Sequence, residues 1–241
     1  PNNPSDTQGH GTHVAGIIGS IGNNAIGTTG VNRKTSLMSL KFLDENNRGD
    51  LASAIAAINY AKTMRDRFQT NVRVLNASWG QAGESNPILQ ETIFNAGEAG
   101  ILLIAAAGNG NVLGQGIDND RTSFFPASYP LQNVIAVGAS DANDNLASFS
   151  NFGSSSVDIV APGVAIKSTL PNGSYGEANG TSMAAPFVSG TAALLWSEYR
   201  NASVDEVRQA ILENVDELAS LQGIVAQSGR LNANRAIRAR S

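Results

Sequence analysis

The chain has no cysteine in its 241 residues. Disulfides, thiolate metal sites and a cysteine nucleophile are therefore excluded. Histidine is nearly as scarce, with His10 and His13 the only two, so any imidazole chemistry has to happen in one short stretch. Charged residues make up 15%, against ~25% in ordinary soluble domains. The net charge of −4 supplies no surface for neutralising phosphates, which argues against nucleic acid as a partner. No apolar run approaches the ~20 residues that a membrane helix needs, so no membrane partner is expected. Small residues are plentiful instead: the 25 glycines imply closely packed backbone. One α/β domain spanning 1–241 suits this length. The opening stretch, Pro1-Asn2-Asn3-Pro4-Ser5-Asp6, reads as a polar loop rather than a leader, as though cut from a longer chain.

Strand-like and helix-like segments alternate. Val14–Ile18, with Ala15, Gly16 and Gly19, predicts a short buried helix packed through its glycines. Thr35–Leu43 predicts a strand. Asp50 is placed to cap a helix from Leu51 to about Met64, with Leu51, Ile55 and Ile58 on one face. A strand is expected at Val72–Asn76, then a helix opened by Asn86-Pro87 and closed near Gly100. Ile101–Ala107 is continuously apolar, as in a central parallel strand covered on both faces. Further strands are expected at Asn133–Ala139 and Val157–Ala161. Ser203-Val204-Asp205-Glu206 forms a capping box, and Leu231–Ala239 ends in a short helix. The pattern predicts an α/β fold, a mostly parallel central sheet with helices on both faces.

Three stretches carry chemistry. Gly9-His10-Gly11-Thr12-His13 puts an imidazole at a helix start. Ala105-Ala106-Ala107-Gly108-Asn109 puts a carboxamide at the tip of the buried strand. Asn179-Gly180-Thr181-Ser182-Met183-Ala184-Ala185-Pro186 puts a hydroxyl in the first turn of an Ala-rich helix, between small neighbours. Sites in open α/β sheets form at the carboxyl ends of strands, so these three can meet. A serine hydroxyl needs an adjacent base, and imidazole has a suitable pKa. A carboxamide and a backbone N–H can serve the resulting oxyanion. Read alone, Ser182 is as good a helix cap as a nucleophile.

Other motifs fail on inspection. A zincin pair needs Glu after its first histidine and a spacing of four, whereas Gly11 follows His10 and His13 is three away. Gly108-Asn109-Gly110 imitates a dinucleotide fingerprint, but Leu113 occupies the third glycine's place. The Gly-X-Ser-X-Gly of lipases is not matched by Gly180-Thr181-Ser182-Met183-Ala184, and both histidines precede the serine. Asp118-Asn119-Asp120 and Asp141–Asp144 read as solvated acidic turns.

The three stretches, in this order, resemble those of the subtilases, the subtilisin-like serine endopeptidases. Val160-Ala161-Pro162-Gly163 and Ser168-Thr169-Leu170-Pro171 extend the likeness. The resemblance implies a subtilisin-like three-layer α/β/α fold and cleavage of extended protein substrates. It implies that Ser182 is the nucleophile, that His10 rather than His13 is the general base, and that Asn109 with the Ser182 N–H forms the oxyanion hole. Ser78, Trp79 and Gly80 correspond to the edge that pairs with substrate, and Ala106, Ala107 and Gly108 to the opposite wall of the primary pocket. Asn47, Arg48 and Gly49 fall at the second substrate-pairing strand. These small residues suggest a roomy, uncharged pocket preferring large or apolar residues before the cut.

The resemblance also implies no cofactor for catalysis, a possible structural calcium held through Asn24 in the Ile21–Thr28 loop, a propeptide or inhibitor as partner, a monomer, and secretion to the extracellular space. Two departures stand out. Phe187 follows Ser-Met-Ala-Ala-Pro where the family usually has histidine. The family's triad aspartate lies upstream of the histidine in an Asp-Thr/Ser-Gly motif that is not in these residues, and Asp6 matches a loop position instead. The expectation is a domain truncated at its N-terminus and weakly active, or a peptide-binding pseudoprotease, since loss of that aspartate alone costs subtilisin about 10⁴-fold in turnover.

Overall fold

Leu102, Ile104 and Ala106 face one way and Leu103 and Ala105 the other, and two helical layers are built on that alternation. A computed structural model describes residues 5–239; Pro1–Pro4 of the predicted opening loop lie outside the described residues. In chain order the helices are α1 (His10–Gly19), α2 (Leu51–Phe68), α3 (Pro87–Glu98), α4 (Thr181–Glu198), α5 (Val204–Leu212) and α6 (Ala233–Arg238). The strands are β1 (Val74–Ala77), β2 (Gln81–Ala82), β3 (Leu102–Ala106), β4 (Phe124–Phe125), β5 (Val134–Ser140), β6 (Ile159–Pro162), β7 (Ile166–Leu170), β8 (Ser174–Ala178), β9 (Asp216–Glu217) and β10 (Gly229–Arg230).

The main sheet has six strands in the order β1-β3-β5-β6-β10-β9. All its pairings are parallel except the last, β10 with β9. On one face α4, α5 and α6 cover Ile104, Ile135, Val137 and Ile159. On the other α2 and α3 cover Leu75, Leu103, Val134 and Ala136. The expected α/β fold, a mostly parallel sheet between helices, is what the chain adopts. Two hairpin-like pairs stand apart, β2 with β4 and β7 with β8.

Local signals explain most boundaries. Asp50 accepts the Ser53 N–H at the start of α2, and Asn86 accepts the Leu89 N–H ahead of Pro87 at the start of α3. The Ser203/Glu206 capping box is fully formed. One expectation fails: Thr35–Leu43 forms no strand and pairs with none of the described ones. Alternating side chains make a segment fit for a sheet, but only a partner's N–H and C=O groups make it a strand. Leu37 and Met38 accordingly stay exposed.

Candidate active site

Helix α1 presents His10 as its first residue. Its cap position, Gly9, sits at φ 100° and has no side-chain acceptor. Asp6 replaces the cap from outside: Oδ1 accepts the N–H groups of Gln8 (3.0 Å) and Gly9 (2.8 Å), and Oδ2 those of Thr12 N and Oγ1 (both 2.7 Å). Burial alone would raise the Asp6 carboxyl, but these bonds from Gly9, Thr12 and Gln8 outweigh it and hold it below the usual carboxylate range. The far side of α1 is tied to β7, where Ser168 Oγ donates to the His13 carbonyl and Thr169 Oγ1 to that of Thr12. His10 is half-buried. Burial, reinforced by His13, lowers its imidazole pKa against the opposing pull of Asp6, which favours the neutral form able to accept a proton. His13 is buried, with Nε2 on the Gly176 carbonyl at 3.2 Å.

Helix α4 presents Ser182 as its second residue. Gly180 precedes it at φ 148°, outside the range open to other residues, which turns the chain sharply into the helix. Asn109, just past β3, holds this helix start: its Oδ1 accepts Thr181 N (2.8 Å) and Thr181 Oγ1 (3.0 Å). With the oxygen occupied, Asn109 Nδ2 is left without a described partner, as is the Ser182 N–H. Ser182 Oγ donates to the Ser78 carbonyl at 3.2 Å, not to His10.

One cleft of about 730 Å³ brings these elements together. His10, Asn109 and Ser182 line it, as do Ser78, Trp79, Gly80, Ala106, Gly108, Asn47, Arg48 and Gly49. Two predicted residues lie elsewhere. Ala107 is fully buried beside Val157 and Val160. Asn24 sits in the exposed 21–28 loop, where its Oδ1 accepts the Ile26 N–H at 3.1 Å. That loop offers only oxygen ligands, as calcium prefers: it has two carboxamides, Asn23 and Asn24, the second already engaged, and no carboxylate. No cluster of three or more His, Cys, Asp or Glu suited to a metal occurs among the described residues.

Sequence reasoning did not find the network behind Asn109. Asn119 Nδ2 donates to the Ala107 carbonyl (2.9 Å), and Asn151 Nδ2 donates to Asn119 Oδ1 (2.9 Å). Asn151 Oδ1 accepts Gly110 N (2.8 Å) and Ile117 N (3.0 Å), while its own N–H donates to the Gly108 carbonyl (2.9 Å). The backbone on both sides of Asn109 is thereby clamped. Also missed were the aromatic residues of the cleft, Phe42, Phe124, Phe125 and Tyr129. Their only signal in the chain was being apolar.

The Subtilase family profile matches residues 1–234. The chain belongs to the subtilase family. Similar proteins include a thermophilic serine proteinase of Bacillus sp. (strain AK1), 41% identical over 234 residues, covering 97% of this chain and 53% of that protein. Thermitase of Thermoactinomyces vulgaris is 38% identical over 234 residues, 97% of this chain and 76% of its own length. Subtilisin DY of Bacillus licheniformis is 37% identical over 214 residues, 89% of this chain and 73% of its own. This subtilase chain thus spans from about half to three quarters of the lengths of these relatives. It shares the family of serine proteinases, and none of its described helices is long and apolar enough to cross a membrane.

Proposed function

We propose that this chain forms the peptidase unit of a serine endopeptidase, cleaving extended protein segments through an acyl-enzyme on Ser182. The reading rests on one observation: His10, Asn109 and Ser182, distant in the sequence, line one cleft. In the reaction, Ser182 Oγ leaves the Ser78 carbonyl, gives its proton to the His10 imidazole and attacks the scissile carbonyl carbon. The carbonyl oxygen takes up the electron pair and is met by Asn109 Nδ2 and the Ser182 N–H, the donors left unengaged in the free protein. His10 then returns the proton to the departing amine, and the C–N bond breaks. Water, deprotonated by the same imidazole, splits the ester and restores the hydroxyl. The substrate backbone lies between Ser78–Gly80 and Asn47–Gly49. A propeptide or inhibitor would occupy the same cleft, and the unit acts as a monomer outside the cell, where a chain with no thiol has no disulfide to form.

A fluorophosphonate probe applied to the full-length protein is expected to label Ser182, and Ser182→Ala is expected to abolish the label. A folded full-length protein that takes up no label overturns the proposal. The second reading, a cleft that binds peptides without cutting them, is favoured by Ser182 Oγ resting on Ser78 instead of on His10. It predicts peptide binding with neither label nor cleavage.

A further inference from the structure

The walls that the sequence places around the primary pocket carry glycine at Gly80 and Gly108, and such walls leave an open slot. The structure puts an aromatic ring in it. Phe124 enters on β4, which pairs antiparallel with β2 so that Phe124 stands opposite Ala82 and Phe125 opposite Gln81. One edge of the ring lies against Gly80, where an added methyl would overlap Phe124 Cε1 and come within 2.9 Å of Cζ. The other edge lies against Gly108, where an added methyl would stand 3.0 Å from Phe124 Cδ2. The ring therefore spans the slot from wall to wall, and both walls are glycine where it touches them.

The ring is also held in place. Its backbone is fixed on both sides, Phe124 N donating to Ser128 Oγ at 3.0 Å and Ser128 N to the Phe124 carbonyl at 2.9 Å. Part of the ring packs on the core beneath α2 and α3, and part remains open to the cleft. A large substrate side chain entering the slot would have to pull an aromatic ring off a close-packed face.

We infer that Phe124 is the specificity-determining residue of this cleft. It floors the primary pocket and restricts cleavage to bonds preceded by a small residue, glycine, alanine or serine. This inference rests on the peptidase reading and replaces the large-residue preference that the glycine-lined walls suggest.

The test is a cleavage profile of the full-length protein on peptides differing only in the residue before the scissile bond. The wild type is expected to show kcat/KM for alanine at least about tenfold above that for phenylalanine. Phe124→Gly is expected to raise kcat/KM for phenylalanine and leucine about tenfold or more relative to alanine. Phe124→Leu, which keeps the apolar packing, is expected to fall between the two. Fluorophosphonate labelling of each variant reports whether its nucleophile is assembled; if Phe124→Gly fails to label, Phe124→Leu and the wild-type profile decide. A wild type that cuts after phenylalanine as readily as after alanine overturns the inference. So do variants that label yet keep the wild-type ratio. Labelling with the wrong profile sinks this inference alone, whereas a wild type showing neither labelling nor cleavage sinks the peptidase reading and this one with it.

Discussion

Ser78 and Ser182 exchange hydrogen bonds, the Ser78 hydroxyl donating to the Ser182 carbonyl at 2.8 Å and the Ser182 hydroxyl to the Ser78 carbonyl at 3.2 Å. The reason lies four residues further along α4. Pro186 has no N–H, so the Ser182 carbonyl has no helical donor, and a neighbouring hydroxyl fills the gap. Asn76 Nδ2 supports Ser78 Oγ from β1, and Ser189 Oγ closes the chain by donating to Asn76 Oδ1, both at 2.8 Å.

Ser78→Ala is expected to lower stability by about 1–3 kcal/mol, because a carbonyl and an amide lose their partner together. Pro186→Ala restores a helical N–H to the Ser182 carbonyl, so the cost of Ser78→Ala should shrink in that background. Denaturant midpoints of the two single variants and the double variant measure the coupling. Strict additivity would show that the proline is not the cause.

Asn109→Ala is expected to lower kcat by roughly 10²–10³ with little change in KM, the size of loss measured for one oxyanion donor in subtilisin. Asn151→Ala, which touches no substrate, should lower kcat by up to about 10²-fold by releasing the clamp around Asn109. Both are read from steady-state kinetics well below the melting temperature. If Asn151→Ala shifts KM and leaves kcat alone, the clamp does not position the donor.

Asp6→Asn is expected to cost about 0.5–2 kcal/mol at neutral pH, the usual worth of a helix-start acceptor. Its folded carboxyl titrates below the unfolded value of ~3.9, so the unfolded chain binds more protons in between and stability rises with pH there. The contribution is complete above the unfolded value and lost as pH falls through the folded one. Melting curves of the two proteins should therefore converge under acid; a constant gap down to low pH would mean that charge plays no part.

Gly16→Ala is expected to lower stability by about 1–3 kcal/mol despite alanine's better helix propensity. A methyl there would overlap Thr169 Oγ1 and Ser168 Oγ, the hydroxyls that anchor α1 to β7. Gly11→Ala is the control in the same helix: its methyl would stand 3.5 Å from Asp6 Oδ2, in ordinary contact. Thermal melts should show the first variant falling and the second holding or rising.

Much of the scaffold was legible in the chain because its causes are local. The caps at Asp50, Asn86 and Ser203 act within three residues, and the apolar run ending at Ala107 announces a covered strand whatever lies beside it. The motifs around His10, Asn109 and Ser182 were legible as a set, since helix starts and strand ends are where such groups collect. Thr35–Leu43 misled, because pairing depends on a second segment that alternation does not reveal.

By itself, then, the sequence determined the capped helices and the buried central strands, the residues proposed to carry chemistry, and the family to which the chain belongs. Only the tertiary structure decided that the Ser182 hydroxyl rests on Ser78, that paired asparagines clamp Asn109, and that Phe124 bridges Gly80 and Gly108. Those are contacts between residues remote along the chain, set to a few tenths of an ångström by how close-packed layers meet.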